Sequence, residues 1–242
     1  MSNPRLCIQY SEIFPGKNIE LSREDRRYIF NVLRCHRGDI ISIFDGKGKS
    51  FKARIIDDIS IEVLEEEKLI TEDAFSLSLC QALLKGEKME MVIQKATELG
   101  VKKIIPFVSE RCVIKETRKT ERWRKIAKEA SEQAQRSIVP EINDVIFFSE
   151  LIKKIKNGIL FWEKAETPLI QIVSDINPHQ DVFLLIGPEG GFTQKEVTQA
   201  AEKNIKIATL GKRILKAETA SIVAVSLVSF LLEWKFTCRN VI

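Results

Sequence analysis

Histidine is almost absent from this 242-residue chain: His36 and His179 are the only two, and neither has a Cys or His neighbour at ligand spacing. That excludes the usual zinc sites, which need three or four such ligands close together, and no metal is expected. Cysteine is scarce and odd in number. Cys7, Cys35, Cys80, Cys112 and Cys238 include no C-x-x-C pair, so a reduced, cytoplasmic protein is expected rather than a disulfide framework. Cys35 beside His36 reads as a small core residue next to a surface one rather than as a nucleophile. The N-terminus lacks an apolar leader, and no secretion signal is inferred. Long apolar runs are missing too. The most apolar stretch, residues 222–232, carries Ser226 and Ser229. It is too short to span a membrane and reads as a buried or subunit-interface helix, so no membrane partner is expected. Nor does one sign of charge dominate. Net charge is only +4, which by itself does not indicate nucleic acid. There is no internal repeat and no low-complexity segment.

What is present is an ordinary globular composition, 44% hydrophobic and 30% charged, enough for one large domain or two modest ones. The first seventy residues look β-rich. Ile41 and Ile43, then Phe51, Ala53 and Ile55, alternate around Asp45-Gly46-Lys47-Gly48 and predict a hairpin. Ser22 is placed to cap a helix over 23–34. One helix among short strands suggests a small barrel. Glu65-Glu66-Glu67 and the polar residues to Asp73 read as a linker, which sets expected domains of 1–72 and 73–242. Beyond it strands and helices alternate. Strands are expected over 75–79, 101–108, 159–162, 182–186 and 205–210, and helices over 87–99, 122–136 and 218–234. Gly100 is placed to close the first of these helices. Repeated βα units predict a parallel sheet covered by helices.

Two late loops carry most of the chemical information. LLIGPEGGF (184–192) runs from a strand into a loop and then a helix whose start, Thr193 with Glu196, is a capping box with Phe192 and Val197 as its staple. Gly187, Gly190 and Gly191 allow close backbone approach, but Glu189 argues against a polyphosphate ligand, which prefers amides and cations. LGKRILKAETA (210–220) crowds Lys212, Arg213, Lys216 and Glu218 at the mouth of another strand. The two read as neighbouring parallel strands sharing one ligand site at their C-terminal ends. A bare strand-to-helix turn and a solvated charged loop are the plain alternatives. Residues 111–128 hold eight Lys/Arg against two Glu, a local excess suited to a phosphate backbone or to a solvated helix face.

These segments, with NVLRCHRGDIISIFDGKG (31–48), QALLKGEKMEMVIQKATELGV (81–101) and ERWRKIAKEASEQAQR (121–136), give the chain a resemblance to the bacterial ribosomal RNA small-subunit methyltransferase E family of the SPOUT (α/β-knot) superfamily. The resemblance covers nearly the whole length. It implies an α/β fold: a PUA-like N-terminal β-barrel and a C-terminal trefoil-knotted parallel sheet with flanking helices. It implies S-adenosylmethionine as cofactor, a homodimer, and methylation of uridine N3 in 16S ribosomal RNA of the small subunit. It implies that Leu185, Gly187, Pro188, Glu189, Gly190 and Gly191 line the methionine and ribose side. Leu210, Gly211, Ile214 and Leu215 would hold adenine, and Glu218 and Thr219 would complete the pocket. The chain departs from the family pattern at Lys216, commonly Arg, at Gln135, often Gly, and at Arg26-Arg27-Tyr28, where early histidines are common.

Methylating uridine N3 requires loss of its proton and stabilisation of the resulting anion. Arg213 or Arg136 is the expected cation; no base is identified, and Glu218, a candidate for it, reads better as a helix cap. Expected RNA contacts are Arg23, Arg27 and Arg34 on the barrel, with Lys85, Lys88, Arg111 and Arg136. The competing readings are a non-catalytic RNA-binding protein using the barrel and basic helix, and a metabolic enzyme using the pocket without RNA.

Overall fold

A computed structural model describes residues 4–8, 10, 12–68 and 71–239. The chain divides into two compact units, Met1–Glu72 with Ser131–Val139, and Asp73–Ala130 with Pro140–Ile242.

The first unit contains β1 (Arg5–Cys7), β2 (Asn18–Glu20), α1 (Arg23–Arg27), β3 (Ile40–Phe44), β4 (Ser50–Ile55) and β5 (Ser60–Glu67). They form a five-stranded sheet ordered β1-β3-β4-β5-β2, with β1 parallel to β3 and the other pairs antiparallel. The alternation that predicted the hairpin is the inside–outside period of this sheet: Ile41, Ile43, Phe51, Ala53, Ile55, Ile61 and Val63 share one apolar cluster with Leu6, Ile19 and Ile29. Two expectations change. The helix at Ser22, whose hydroxyl does accept from the Asp25 N–H, is α-helical only over α1 and continues as a π-helical turn, Tyr28–Val32. The acidic run 65–67 is not a linker but the end of β5. There Lys52 of β4 pairs with Glu65 at 2.8 Å and the Ser42 hydroxyl of β3 donates to Glu67, so other strands of the sheet supply the partners that the run lacks in sequence.

In the second unit follow β6 (Leu77–Ala82), α2 (Lys88–Glu98), β7 (Lys103–Val108), α3 (Thr120–Gln133), whose last turn belongs to the first unit, β8 (Glu141–Ile142), β9 (Ile146–Phe147) and α4 (Phe148–Lys154). Then come β10 (Gly158–Phe161), α5 (Leu169–Val173), β11 (Val182–Ile186), α6 (Gln194–Glu202), β12 (Lys206–Ala208) and α7 (Ala217–Arg239). All strand pairs are parallel, in the order β12-β10-β11-β6-β7-β8, with β9 also on β7. One expectation is corrected by this order. β11 and β12 are not neighbours, because β10 lies between them.

After β12, at the sheet edge, the chain returns as α7 to pack on α2, β6 and β11 in the middle of the sheet. Gln81, fully buried at the end of β6, fastens that return. Its amide donates to the carbonyls of Ala82 and Gly187, and its Oε1 accepts from the Ser221 hydroxyl on α7. Helix α7, at 23 residues, begins close to the expected 218 and runs on past the expected 234. The helix around residues 222–232, Ala217–Thr237, is by length and composition long and apolar enough to cross a membrane, a test that core helices of soluble proteins also pass. One face of it, Ala224, Val225, Val228 and Leu232, is fully buried, while Leu227, Phe230 and Trp234 are exposed.

Candidate functional site

A cleft of about 480 Å³ opens at the C-terminal ends of β10, β11 and β12, within the range of roughly 300–1,000 Å³ usual for small-molecule sites. The first loop forms one wall. Phe192 is buried against Phe107 and Phe148 at ring separations of 6.2 and 5.6 Å, and the capping box forms with both of its hydrogen bonds. Between these anchors Gly191 takes φ +67°, and Gly187 packs closely under Phe192, where a Cβ would stand 3.2 Å from the ring. The second loop is shaped by Thr209, whose hydroxyl accepts from the Gly211 N–H and donates to its carbonyl, both at 3.1 Å.

The charges in the cleft are partly matched. Lys88 Nζ lies 3.2 Å from Glu189 Oε1 and 3.9 Å from Glu218 Oε2, and the Lys85 N–H donates to Glu189 at 3.1 Å. Burial would raise the Glu189 carboxyl, but backbone hydrogen bonds from its own N–H and from Lys85, together with the Lys88 ammonium, outweigh it and hold the group below its ordinary value. Glu218 Oε2 is buried and has no hydrogen-bond partner, since Lys88 stands too far away to donate. The Trp162 indole N–H is likewise buried and unpartnered.

Of the expected cofactor residues, Gly187, Pro188, Glu189, Gly190, Gly191, Leu210, Gly211, Ile214, Leu215 and Glu218 line this cleft, as does Arg213. Two do not line it. Leu185 is wholly buried inside β11, and the Thr219 side chain is exposed beside Glu218. Lys88, expected on RNA, is inside the cleft, paired as described. Lys85 is exposed at its edge. Arg111, also expected on RNA, donates to the Gly190 carbonyl at 2.9 Å and so braces the first loop. Arg136 is corrected outright. It is 3% exposed, lies in the first unit, and is ion-paired with Glu72 at 2.8 Å, while its carbonyl accepts from Arg5. A guanidinium so buried and paired is a structural group, not a cation free to meet a substrate. Arg23, Arg27 and Arg34 are exposed on the first unit. The basic run 111–128 is partly neutralised, since Arg122 and Lys119 converge on Glu90 at 2.6 and 3.5 Å.

Phe161, Trp162 and Glu163, which follow or end β10, line the cleft and were not anticipated. Their position at the C-terminal end of a parallel strand was the available signal, but only the strand order makes it a central one. Among the described residues no group of three or more His, Cys, Asp or Glu side chains is arranged to hold a metal ion.

Comparison with known proteins agrees with this arrangement. Residues 71–229 match the RNA methyltransferase domain and residues 21–66 the RNA methyltransferase PUA domain. The chain is 33% identical to ribosomal RNA small subunit methyltransferase E of Bacillus subtilis, over 92% of this chain and 93% of that one. It is also 33% identical to the Aquifex aeolicus protein of the same name, over 94% and 99%. The structure superposes on the Neisseria gonorrhoeae enzyme of that name, solved with S-adenosylmethionine bound, with a TM-score of 0.87 and 32% identity over 95% of this chain and 98% of that one. A Legionella pneumophila protein solved with the same cofactor gives 0.86 and 30%, over 95% and 98%. Motifs, strand order and relatives converge: the chain belongs to the ribosomal RNA small subunit methyltransferase E family, an α/β-knot RNA methyltransferase with a PUA-like N-terminal sheet.

Proposed function

We propose that this protein methylates N3 of a uridine in 16S ribosomal RNA of the small subunit, using S-adenosylmethionine held in the cleft of the second unit. The observation that carries the reading is the cleft itself, in which LLIGPEGGF and LGKRILKAETA face each other across the end of β10, in a chain of this family. The residues fit that cofactor. A carboxylate-bearing glycine loop suits hydroxyls and an amino group, the apolar Leu210, Ile214 and Leu215 suit a purine, and the buried, unpartnered Trp162 indole N–H offers a donor. The cofactor supplies an electrophilic methyl group on a cationic sulfur.

The chain's own part is to position the base and manage its proton. Arg213 is exposed at the cleft mouth, where its permanent charge steadies the anion formed on uridine O2 and O4. Glu218 offers the unpartnered carboxylate oxygen in the cleft, the acceptor for the N3 proton. Arg23, Arg27 and Arg34 on residues 1–72 are the RNA-reading cations, and residues 73–242 are the catalytic domain. The exposed apolar row Leu227, Phe230 and Trp234 on α7 fits a homodimer interface. A ribosomal substrate places the activity in the cytoplasm.

The test is to incubate the protein with labelled S-adenosylmethionine and undermodified small subunits and map the product. A single N3-methyluridine in 16S RNA is expected. Label on another atom or no label overturns the reading. In the same assay Arg213→Ala is expected to lower turnover by about 100-fold, the usual cost of losing one oxyanion partner. Full turnover would remove Arg213 from the mechanism. A purely RNA-binding role is not favoured, because the chain matches the RNA methyltransferase domain and carries the complete cleft.

A further inference from the structure

Strand order puts one carboxylate in an unassigned and central position. The adenine-side loop follows β12 and the methionine-side loop follows β11, and β10 runs between the two strands. The chain leaving β10 therefore lies under whatever joins the two ends of the ligand. That exit is well held: the Trp162 backbone N–H donates to the Ala208 carbonyl at 3.0 Å on the β12 side, and the Ala165 N–H donates back to the Trp162 carbonyl at 3.1 Å to close a turn. Glu163 sits in this turn and reaches across to the β11 side. A Cβ on Gly191 would stand 3.2 Å from Glu163 Oε2 and 3.4 Å from Oε1.

The other two carboxylates of the cleft, Glu189 and Glu218, both face Lys88. Among the described residues no ion pair engages Glu163, and its side chain is exposed to the cleft. In S-adenosylmethionine the group between adenine and methionine is the ribose. A carboxylate is an acceptor with two oxygens and about four lone-pair sites, matched to a pair of vicinal hydroxyls.

Resting on the cofactor reading above, we propose that Glu163 binds the ribose diol of S-adenosylmethionine and is thereby a specificity-determining residue of the methyl-donor site. Glu189 then has a different task. Tied to Lys85 and Lys88, it maintains the shape of the first loop.

The test is calorimetric and needs no turnover. S-adenosylhomocysteine, its 2′,3′-dideoxy analogue and 5′-methylthioadenosine, which keeps the ribose but lacks the amino acid, are titrated into the wild-type protein, Glu163→Ala and Glu163→Gln. Thermal melts confirm that the variants fold. Glu163→Ala is expected to weaken S-adenosylhomocysteine and methylthioadenosine alike, by about 10-fold or more, the scale of a hydrogen bond to a charged group. Glu163→Gln, with one acceptor oxygen left, should fall between. The dideoxy analogue should bind wild type and variants equally. Equal losses on the dideoxy analogue overturn the assignment, as does a loss confined to S-adenosylhomocysteine, which would mean that Glu163 reads the amino group. If the wild type binds none of the three ligands, the cofactor reading itself fails, an outcome distinct from a wild type that binds while Glu163→Ala changes nothing.

Discussion

Three arginines and a lysine that look alike in sequence have different surroundings. Arg213 is exposed at the cleft, Arg111 braces the Gly190 carbonyl, Arg136 is buried against Glu72, and Lys88 lies between two carboxylates. Residue type suggested an RNA or oxyanion role for all four, and only their partners separate them. Glu189 shows the energetic consequence of such partners. Its carboxyl is held below the ordinary value of 4.5, so the stability it contributes is complete above that value and is lost as pH falls through the lower folded one. The melting-temperature gap between wild type and Glu189→Gln should therefore stay constant from about pH 8 to about pH 6 and close at more acid pH. A gap that does not narrow at acid pH would show that Lys85 and Lys88 do not hold the carboxyl down. Cys7, Cys35, Cys80 and Cys112 are buried, and burial pushes the Cys80 thiol far up, which makes it a poor nucleophile. The Cys238 side chain lies outside the described residues.

Helix ends connect sequence to architecture at the next scale. Helices α2, α3 and α6 all finish in the same Schellman pattern. Gly100 donates to Thr97 and Val101 to Ala96. Gln135 donates to Glu132 and Arg136 to Ser131. Asn204 donates to Ala201 and Ile205 to Ala200. The pattern needs a left-handed residue, and φ is +91° at Gly100, +57° at Gln135 and +60° at Asn204. Glycine adopts this region freely and asparagine tolerates it, but glutamine is strained there. This explains why a glycine suits position 135 and why the chain can still do without it: the turn directs Arg136 inward to Glu72, whose Oε1 also accepts from the Ser137 and Ile138 N–H groups. Gln135→Gly is expected to stabilise the protein by about 0.5–1 kcal/mol, the left-handed strain less the extra entropy of glycine in the unfolded chain. A thermal or denaturant melt reads it, and a lower stability would mean that the glutamine side chain contributes more than its backbone costs. Elements of this kind were legible beforehand. The Ser22 and Thr193 caps, Gly100 and the 41–55 hairpin depend on residues a few positions apart. The π-helical turn after α1 and the acidic end of β5 were misread, because their partners lie on other strands or in the packed core.

For the molecule as a whole, α7 is the decisive element. Its sequence is apolar nearly all round, yet the structure uses only part of that surface. Ala224, Val225, Val228 and Leu232 are buried, whereas Phe230 and Trp234 are each 63% exposed. Exposed aromatic groups in a row on one helix mark an association surface. Under the homodimer proposal, Phe230→Asp with Trp234→Asp should convert a sedimenting dimer to a monomer at micromolar concentration with its helical content retained. A wild type that sediments as a monomer would sink the proposal.

The sequence by itself determined the two classes of sheet, the capped helix starts, the two glycine-bearing loops and, through five ordered motifs, the family. Those signals lie within one turn or one strand, where backbone geometry and neighbouring side chains decide the outcome. The tertiary structure alone decided that β10 separates β11 from β12, that Glu163 therefore lies in the middle of the cleft, that Lys88 belongs to the cleft, and that Arg136 is a buried strut. Pairing in a parallel sheet joins residues far apart in the chain, and no local pattern encodes which strand comes to lie beside which.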